Sequence, residues 1–463
     1  MDNNIAGTII EGNFTSKIYA NATYQYYLYI PKCDISDYEF GLVVNHDGLL
    51  PMETEVAVDL AEKGEMPYCI FIGIAAGNVS STVEGGTDRQ LRMNSFDVYS
   101  AKFSTFIIDE LIPFLTTKYS LCISPSPDMH MVSGGSSGGI SAWNIAWHRN
   151  DYFKRVYMTS PSFLSMARGD ELINLMRKFE TKPIRVYTEF SENEPNDYFG
   201  DDYCAGESCA RALKFSKYDV MDRYYPGEGH CSGAKVRERA YERFRFLWKN
   251  WKTESITVKE FSPRVANVVL PENKWESFEG AFPNSKECIS CGLFTKKGAY
   301  VADGSKIYFI DESGIKTIFA DGFDDICAIC LSSDKWRLYI ADRNRGIIYA
   351  ATLNPDGSCG GIYTHGVLHL NNDFRLCAID MCVDCFDRLY VATEIGIQTI
   401  RPYGLIDAIL VNPEEKAVQK LVLNDDGYLY ALCKNNVYRR KLNNKLPPKD
   451  DIISTPQNLL YYD

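Results

Sequence analysis

A chain of 463 residues, 45% hydrophobic and 13% aromatic, is too long for one ordinary core and too apolar for long disorder, so two well-packed domains are expected. Its formal net charge of -12 disfavours nucleic acid and anionic membranes as partners. The opening residues Met1-Asp2-Asn3-Asn4-Ile5 show no secretory pattern, and no apolar run is long enough for a bilayer, so a cytoplasmic protein is expected.

The fifteen cysteines then read as reduced thiols. Three C-x-x-C pairs stand out: Cys288/Cys291, Cys327/Cys330 and Cys382/Cys385. The last two lie in or beside β-like runs, where positions i and i+3 point to opposite faces, so buried small hydrophobes are expected rather than zinc knuckles. No metal and no cofactor are expected.

Up to about Ile30 the chain alternates polar and apolar residues, as antiparallel strands do. Phe40 to Val44 and Cys69 to Ile74 are continuous apolar runs, the pattern of central strands buried on both faces. The first ends in Asn45-His46-Asp47-Gly48, at the sheet end where α/β proteins place ligands. A helix is expected around Glu55 to Lys63. The long polar loop from Ala75 to Asp97 carries Arg89 and Arg92, candidates for substrate contact. Phe103, Phe106, Ile107, Leu111 and Phe114 form a helical stripe.

The run Met131 to Ser141 organises the chain. It contains G-x-S-x-G, with Ser137 between Gly135 and Gly139, after a strand-like run and before Ile140, Trp143 and Trp147 at helical spacing. A serine hydroxyl is a poor nucleophile unless a sharp strand-to-helix turn exposes it and a neighbour deprotonates it. Ser137 is therefore the expected nucleophile, Gly138 N–H an expected oxyanion donor, and Ser136 a neighbouring substrate contact. Strands follow at Arg155 to Ser160, Ile184 to Thr188 and Val220 to Tyr225, with helices near Ala205 to Phe215 and Lys235 to Trp251. Strand alternating with helix gives a mostly parallel sheet with helices on both faces.

Of the six histidines, His230 follows the last of these strands through Pro226-Gly227-Glu228-Gly229, where a general base belongs. His46 precedes the serine, against the chain order Ser, acid, His. His148 falls within the helix after the serine and reads as a surface or helix C-terminal residue. The orienting carboxylate is expected in the loop from Glu189 to Asp197.

Gly134-Gly135-Ser136-Ser137-Gly138-Gly139, Ala212-Leu213-Lys214-Phe215 and Gly227-Glu228-Gly229-His230 together resemble the putative-esterase family of α/β-hydrolases, which includes enterochelin esterases, feruloyl esterases and esterase D. The resemblance covers about Thr8 to Trp251. It implies a serine carboxylic-ester hydrolase with Ser137 as nucleophile and His230 as base. It also implies an oxyanion hole completed by a backbone N–H of the Asp47-Gly48 turn. The family's acid segment is similar to Ser191-Glu192-Asn193-Glu194, which points to Glu194, with Glu192 and Asp197 open. A small-molecule or oligosaccharide ester is the implied partner: feruloyl, acetyl or siderophore-type.

After a polar stretch at 252–263, read as a linker between domains at 1–251 and 264–463, the pattern changes in kind. Arg337 to Asp342 is echoed by Arg388 to Thr393 and Tyr428 to Cys433, each followed by a partner strand. Ile326 to Ile329 is echoed by Leu376 to Ile379. Self-similar strand pairs at this spacing indicate a β-propeller, here short or incomplete, of four to five blades. This part resembles the SMP-30/gluconolactonase propellers. Phe278-Glu279-Gly280-Ala281 is similar to their E-G-P motif without its proline, Cys327-Ala328 replaces an Asn-Gly pair, and Asp342 matches an acidic position. A non-catalytic propeller is therefore expected.

Overall fold

The computed structural model describes residues 7–33, 38–283, 292–295, 297–424 and 426–443. The pair Cys288/Cys291 lies outside these residues. The chain divides into two compact units, one of residues up to Arg177 with Thr181–Val258, the other of Lys178–Glu180 with the chain from Lys259 onward.

The first unit is built on a ten-stranded sheet. Its strands are β1 (Gly7–Thr15), β2 (Thr23–Pro31), β3 (Gly41–His46), β4 (Cys69–Ile74), the two-residue β5 (Asn78–Val79) and β6 (Arg89–Gln90), β7 (His130–Gly135), β8 (Arg155–Thr159) and β9 (Arg185–Asn193). A separate small hairpin, β10 (Asn196–Asp197) with β11 (Gly200–Asp201), precedes the last sheet strand, β12 (Asp219–Gly229). The order is β12-β9-β8-β7-β3-β4-β2-β5-β6, with β1 on β2. Pairing is parallel from β12 through to β4 and antiparallel beyond. Every residue of β3 and β4 is buried, as their unbroken apolar runs require of strands covered on both faces.

The helices are α1 (Pro51–Glu62), α2 (Arg92–Phe96), α3 (Lys102–Thr105), α4 (Ile112–Tyr119), α5 (Ser137–His148), α6 (Glu171–Lys178), α7 (Asp202–Phe215) and α8 (Val236–Leu247). The aromatic stripe predicted as one helix is α3 and α4 joined through a π-helical turn at Phe106–Leu111. Pro113, at the second position of α4, has no N–H to give the carbonyl four residues back, and a wider turn there tolerates the missing donor. The turn also presents Glu110, whose carboxylate accepts Ser16 Oγ at 2.7 Å and the Lys17 and Ile18 N–H groups at 3.1 and 3.2 Å. In α5 every residue from Ser137 to Trp147 is buried, as expected of a helix apolar on all sides.

The stretch Pro226 to Gly229, predicted as a loop, continues β12 with a register shift between Tyr225 and Gly229. A bulge of this kind redirects the chain as it leaves the sheet, immediately before His230.

The second unit holds four four-stranded antiparallel sheets arranged as a propeller. Three are built from consecutive strands: β14 (Gly292–Thr295) to β17 (Lys316–Ala320), β18 (Ile326–Leu331) to β21 (Cys359–Val367), and β22 (Asp380–Val383) to β25 (Ile406–Leu410). The fourth joins β26 (Lys420–Leu423), β27 (Tyr428–Cys433) and β28 (Asn436–Lys441) to β13 (Glu276–Phe278) from the start of the unit. Early and late chain thus share one blade, which closes the ring. The echo at Leu376 to Ile379 is not a strand; there Cys377 N–H donates to Arg343 O at 2.7 Å and Ile379 N–H to Ala392 O at 2.9 Å.

Polar residues join the blades. Buried Asp387 accepts the Tyr339 hydroxyl at 2.7 Å, and Arg337 Nη2 and the Ser333 N–H at 2.9 Å. Glu180 accepts Arg440 Nη1 at 2.5 Å and Nη2 at 2.8 Å. Cys327 and Cys330 engage different neighbours, the carbonyls of Ala341 and Met381. Cys382 is buried and Cys385 half-buried. The Asp342 carboxylate is taken up by the N–H groups of Asp324 at 2.9 Å and Asn344 at 3.1 Å, and Glu279 is exposed.

Candidate active site

The strand-to-helix turn differs from the sequence reading by one residue. The strained position between β7 and α5 is Ser136, with φ 55° and ψ −127°, whereas Ser137 is the first residue of the helix. A non-glycine residue in this backbone region is held there by its surroundings. The glycines two before and two after Ser136 make the turn possible: a Cβ on Gly134 would overlap the backbone of Gly138. The pair that flanks the apex is therefore Gly134/Gly138, not Gly135/Gly139. Gly139 has a separate role, leaving room for Pro161. The run G-G-S-S-G-G carries the motif in two frames one residue apart, and both satisfy the spacing; the frame Gly134-x-Ser136-x-Gly138 was the available signal.

The two serines have different environments. Ser136 Oγ lies 3.1 Å from Ser162 Oγ. The Ser137 hydroxyl faces the carboxylate of buried Asp97 and works to lower its pKa. Burial pushes the Asp97 carboxyl up to about 6, against the Ser137 hydroxyl and the nearby Arg92.

His230 and Glu194 come together. His230 Nδ1 donates to Glu194 Oε2 at 2.5 Å, and the Glu194 side chain is fully buried. Glu194 Oε1 accepts the Ser160 hydroxyl at 2.5 Å and the Ser191 N–H at 2.9 Å. Burial works to raise this carboxyl; the bonds from His230, Ser160 and Ser191 outweigh it and hold it below the ordinary range. His230 is raised above the ordinary imidazole value, first by the Cys231 side chain and then by Glu194, against burial. Ser160 also accepts the Cys231 N–H at 2.9 Å, which ties the His230 turn to the end of β8. That places Cys231 Sγ 2.9 Å from where a Cβ on Gly135 would stand, so the turn carrying His230 lies next to the residue preceding Ser136.

The other two carboxylates have different work. Glu192 accepts the Gly227 N–H at 2.7 Å, and Asp197 accepts the Phe199 N–H at 2.8 Å within its own hairpin. His46 Nδ1 donates to the Ser133 carbonyl at 2.8 Å, and burial lowers this imidazole to about 4; it is a neutral, fixed ring. His148, at the end of α5, stacks on Tyr99 with centroids 5.4 Å apart.

The Asp47-Gly48 turn has positive φ at both residues, 62° and 107°. The Asp47 N–H is committed to the Ile74 carbonyl at 2.7 Å, so it is not the expected oxyanion donor; Gly48 is the candidate that this turn retains. The Asp47 carboxylate forms a two-bond ion pair with Arg92, whose guanidinium also stands 5.1 Å from the Phe96 ring. One oxygen of Asp47 is 3.4 Å from a Cβ built on Gly138. Negative charge at a helix N-terminus is favourable, and Arg92 neutralises it. Arg92 is thus partnered from within the site, while Arg89 stands exposed on β6. Sequence reasoning missed Asp97, Ser160, Ser162 and Asp202. The first three sit in loops and Asp202 begins α7, segments that the fold brings together and no sequence motif marks.

Among solved structures, a ferulic acid esterase is 16% identical over 53% of this chain and 98% of its own, with a TM-score of 0.41. Enterochelin esterase from Shigella flexneri is 19% identical over 53% of this chain and 59% of its own, with a TM-score of 0.39. The BES protein from Bacillus cereus is 20% identical over 52% and 94%, with a TM-score of 0.38. The chain therefore spans somewhat over half the length of the enterochelin esterase. No curated protein matches it. Residues 19–224, somewhat under half of the chain, match the model of the family described as "Putative esterase", and this similarity of the N-terminal region supports a carboxylic ester hydrolase.

Proposed function

We propose that the chain is a serine carboxylic-ester hydrolase in which Ser136 is the nucleophile, His230 the general base and Glu194 the carboxylate that orients it. The carrying observation is the backbone at Ser136, strained at the apex between β7 and α5 and closed by Gly134 against Gly138. Glu194, bonded to Nδ1, fixes the tautomer that leaves Nε2 to take the serine proton. The Ser136 oxygen then attacks the ester carbonyl, the alkoxide leaves with the proton from His230, and water repeats the cycle on the acyl-enzyme. The oxyanion would be met by the N–H of Ser137, at the start of α5, and that of Gly48. The ester is a small-molecule or carbohydrate one, and the propeller is non-catalytic. Both engage no cofactor in this reading.

Covalent labelling tests it. A fluorophosphonate should form one adduct that fragmentation of the peptide spanning 131–149 places on Ser136. An adduct on Ser137, or none with folded protein, contradicts the assignment.

A further inference from the structure

Next to the Ser136 hydroxyl is a second polar pair that the hydrolytic machinery does not use. Ser162 is buried, its hydroxyl 3.1 Å from Ser136 Oγ and its N–H 3.4 Å from the Ser136 carbonyl. The same hydroxyl faces the carboxylate of Asp202, the first residue of α7, and works to lower its pKa. Asp202 is only 7% exposed, and its Oδ1 has no hydrogen-bond partner among the described residues. Helix capping does not account for it, because Asp201 supplies the cap to the Cys204 N–H at 3.0 Å. Burial pushes the Asp202 carboxyl up, Ser162 and His230 pull it back, and Glu194 and Asp197 push it further. A buried carboxylate oxygen left open is costly, and is the form taken by a site built for a donor that arrives with a ligand.

The proton order around Ser136 follows. An ionised Asp202 accepts only, so it draws the Ser162 proton toward itself and favours the arrangement in which the Ser162 oxygen accepts from Ser136. That turns the Ser136 proton toward Ser162. A substrate hydroxyl that donates to the open Oδ1 screens the carboxylate and weakens its pull on Ser162, which can then donate to the Ser136 oxygen and leave the Ser136 proton for His230.

We propose that Asp202 and Ser162 form a subsite that reads a hydroxyl group carried by the substrate close to its scissile ester, and that filling it frees the Ser136 hydroxyl for His230. The substrate class is therefore a hydroxylated ester. This rests on Ser136 being the nucleophile.

The test uses the full chain and two matched pairs of probes. Methyl 3-hydroxybutyrate against methyl butyrate places the hydroxyl on the acyl side. 1-Acetylglycerol against propyl acetate places it on the alcohol side. In at least one pair the wild type should favour the hydroxylated ester about tenfold or more in kcat/KM, the scale of a hydrogen bond to a charged group. In Asp202→Asn and in Ser162→Ala that ratio should fall toward one. The second variant removes only a hydroxyl and guards against misfolding of the first. Equal rates within both pairs for the wild type, or a preference that survives both substitutions, overturns the subsite. Fluorophosphonate labelling of each protein separates the two failures. An adduct on Ser136 without selectivity removes the subsite alone, whereas no adduct on Ser136 removes the nucleophile and the subsite with it.

Discussion

Single residues carry the site, and the structure separates those that look interchangeable in the sequence. Glu192, Glu194 and Asp197 lie within six positions of one another, yet Glu194 alone of the three is bonded to His230. Glu194→Gln should lower kcat about 10⁴-fold, the scale of losing the correct tautomer in a serine protease, while Glu192→Gln and Asp197→Asn should cost less than about tenfold. Equal small losses from all three would place the orienting carboxylate elsewhere. Because His230 must be neutral to accept a proton and its folded-state value is raised, activity should rise with pH. The midpoint should lie above the ordinary imidazole value of about 6.5. The same bond adds stability that is fully present below that ordinary value and lost as pH climbs through the raised one. A kcat/KM profile that levels off below pH 6 would contradict this.

At the scale of elements, the sequence was legible where period and composition agree. The unbroken apolar runs at Leu42 to Val44 and Cys69 to Ile74 mark the central strands, and the residues at 140, 143 and 147 mark α5. It was less legible where geometry is set by neighbours. The π turn at Phe106–Leu111 keeps the stripe of a helix while changing its hydrogen-bond register. The run Gly134 to Gly139 fits two elbow frames, and only the backbone at Ser136 distinguishes them. Asp97, Ser162 and Asp202 carry no motif, because their placement comes from the meeting of separate loops and a helix start. Arg92 is the test at this scale. Its pairing with Asp47 beside α5 means that Arg92→Ala leaves a bare carboxylate near the developing oxyanion, with an expected loss of about tenfold or more in kcat. An increase in KM with kcat unchanged would instead mark Arg92 as a plain substrate contact.

For the whole molecule, the change from alternating strand and helix to repeating strand pairs announced two architectures, and the echoes at Arg337, Arg388 and Tyr428 fell on β19 (Arg337–Asp342) and its counterparts. Closure of the propeller did not show in the sequence, since β13 has three residues and no repeat pattern. Asp387 gathers three donors while fully buried, so Asp387→Ala should destabilise the second unit by about 3–5 kcal/mol. Calorimetry should show one transition moved down. Unchanged melting would mean that these bonds are replaced by water.

The central claim is that catalysis turns on Ser136 rather than Ser137, and kcat/KM for p-nitrophenyl acetate measured on wild type, Ser136→Ala and Ser137→Ala tests it most directly. Loss of about 10⁴-fold or more in folded Ser136→Ala, with Ser137→Ala within about tenfold of wild type, is the predicted result. Retained hydrolysis in Ser136→Ala together with its loss in Ser137→Ala would contradict the account.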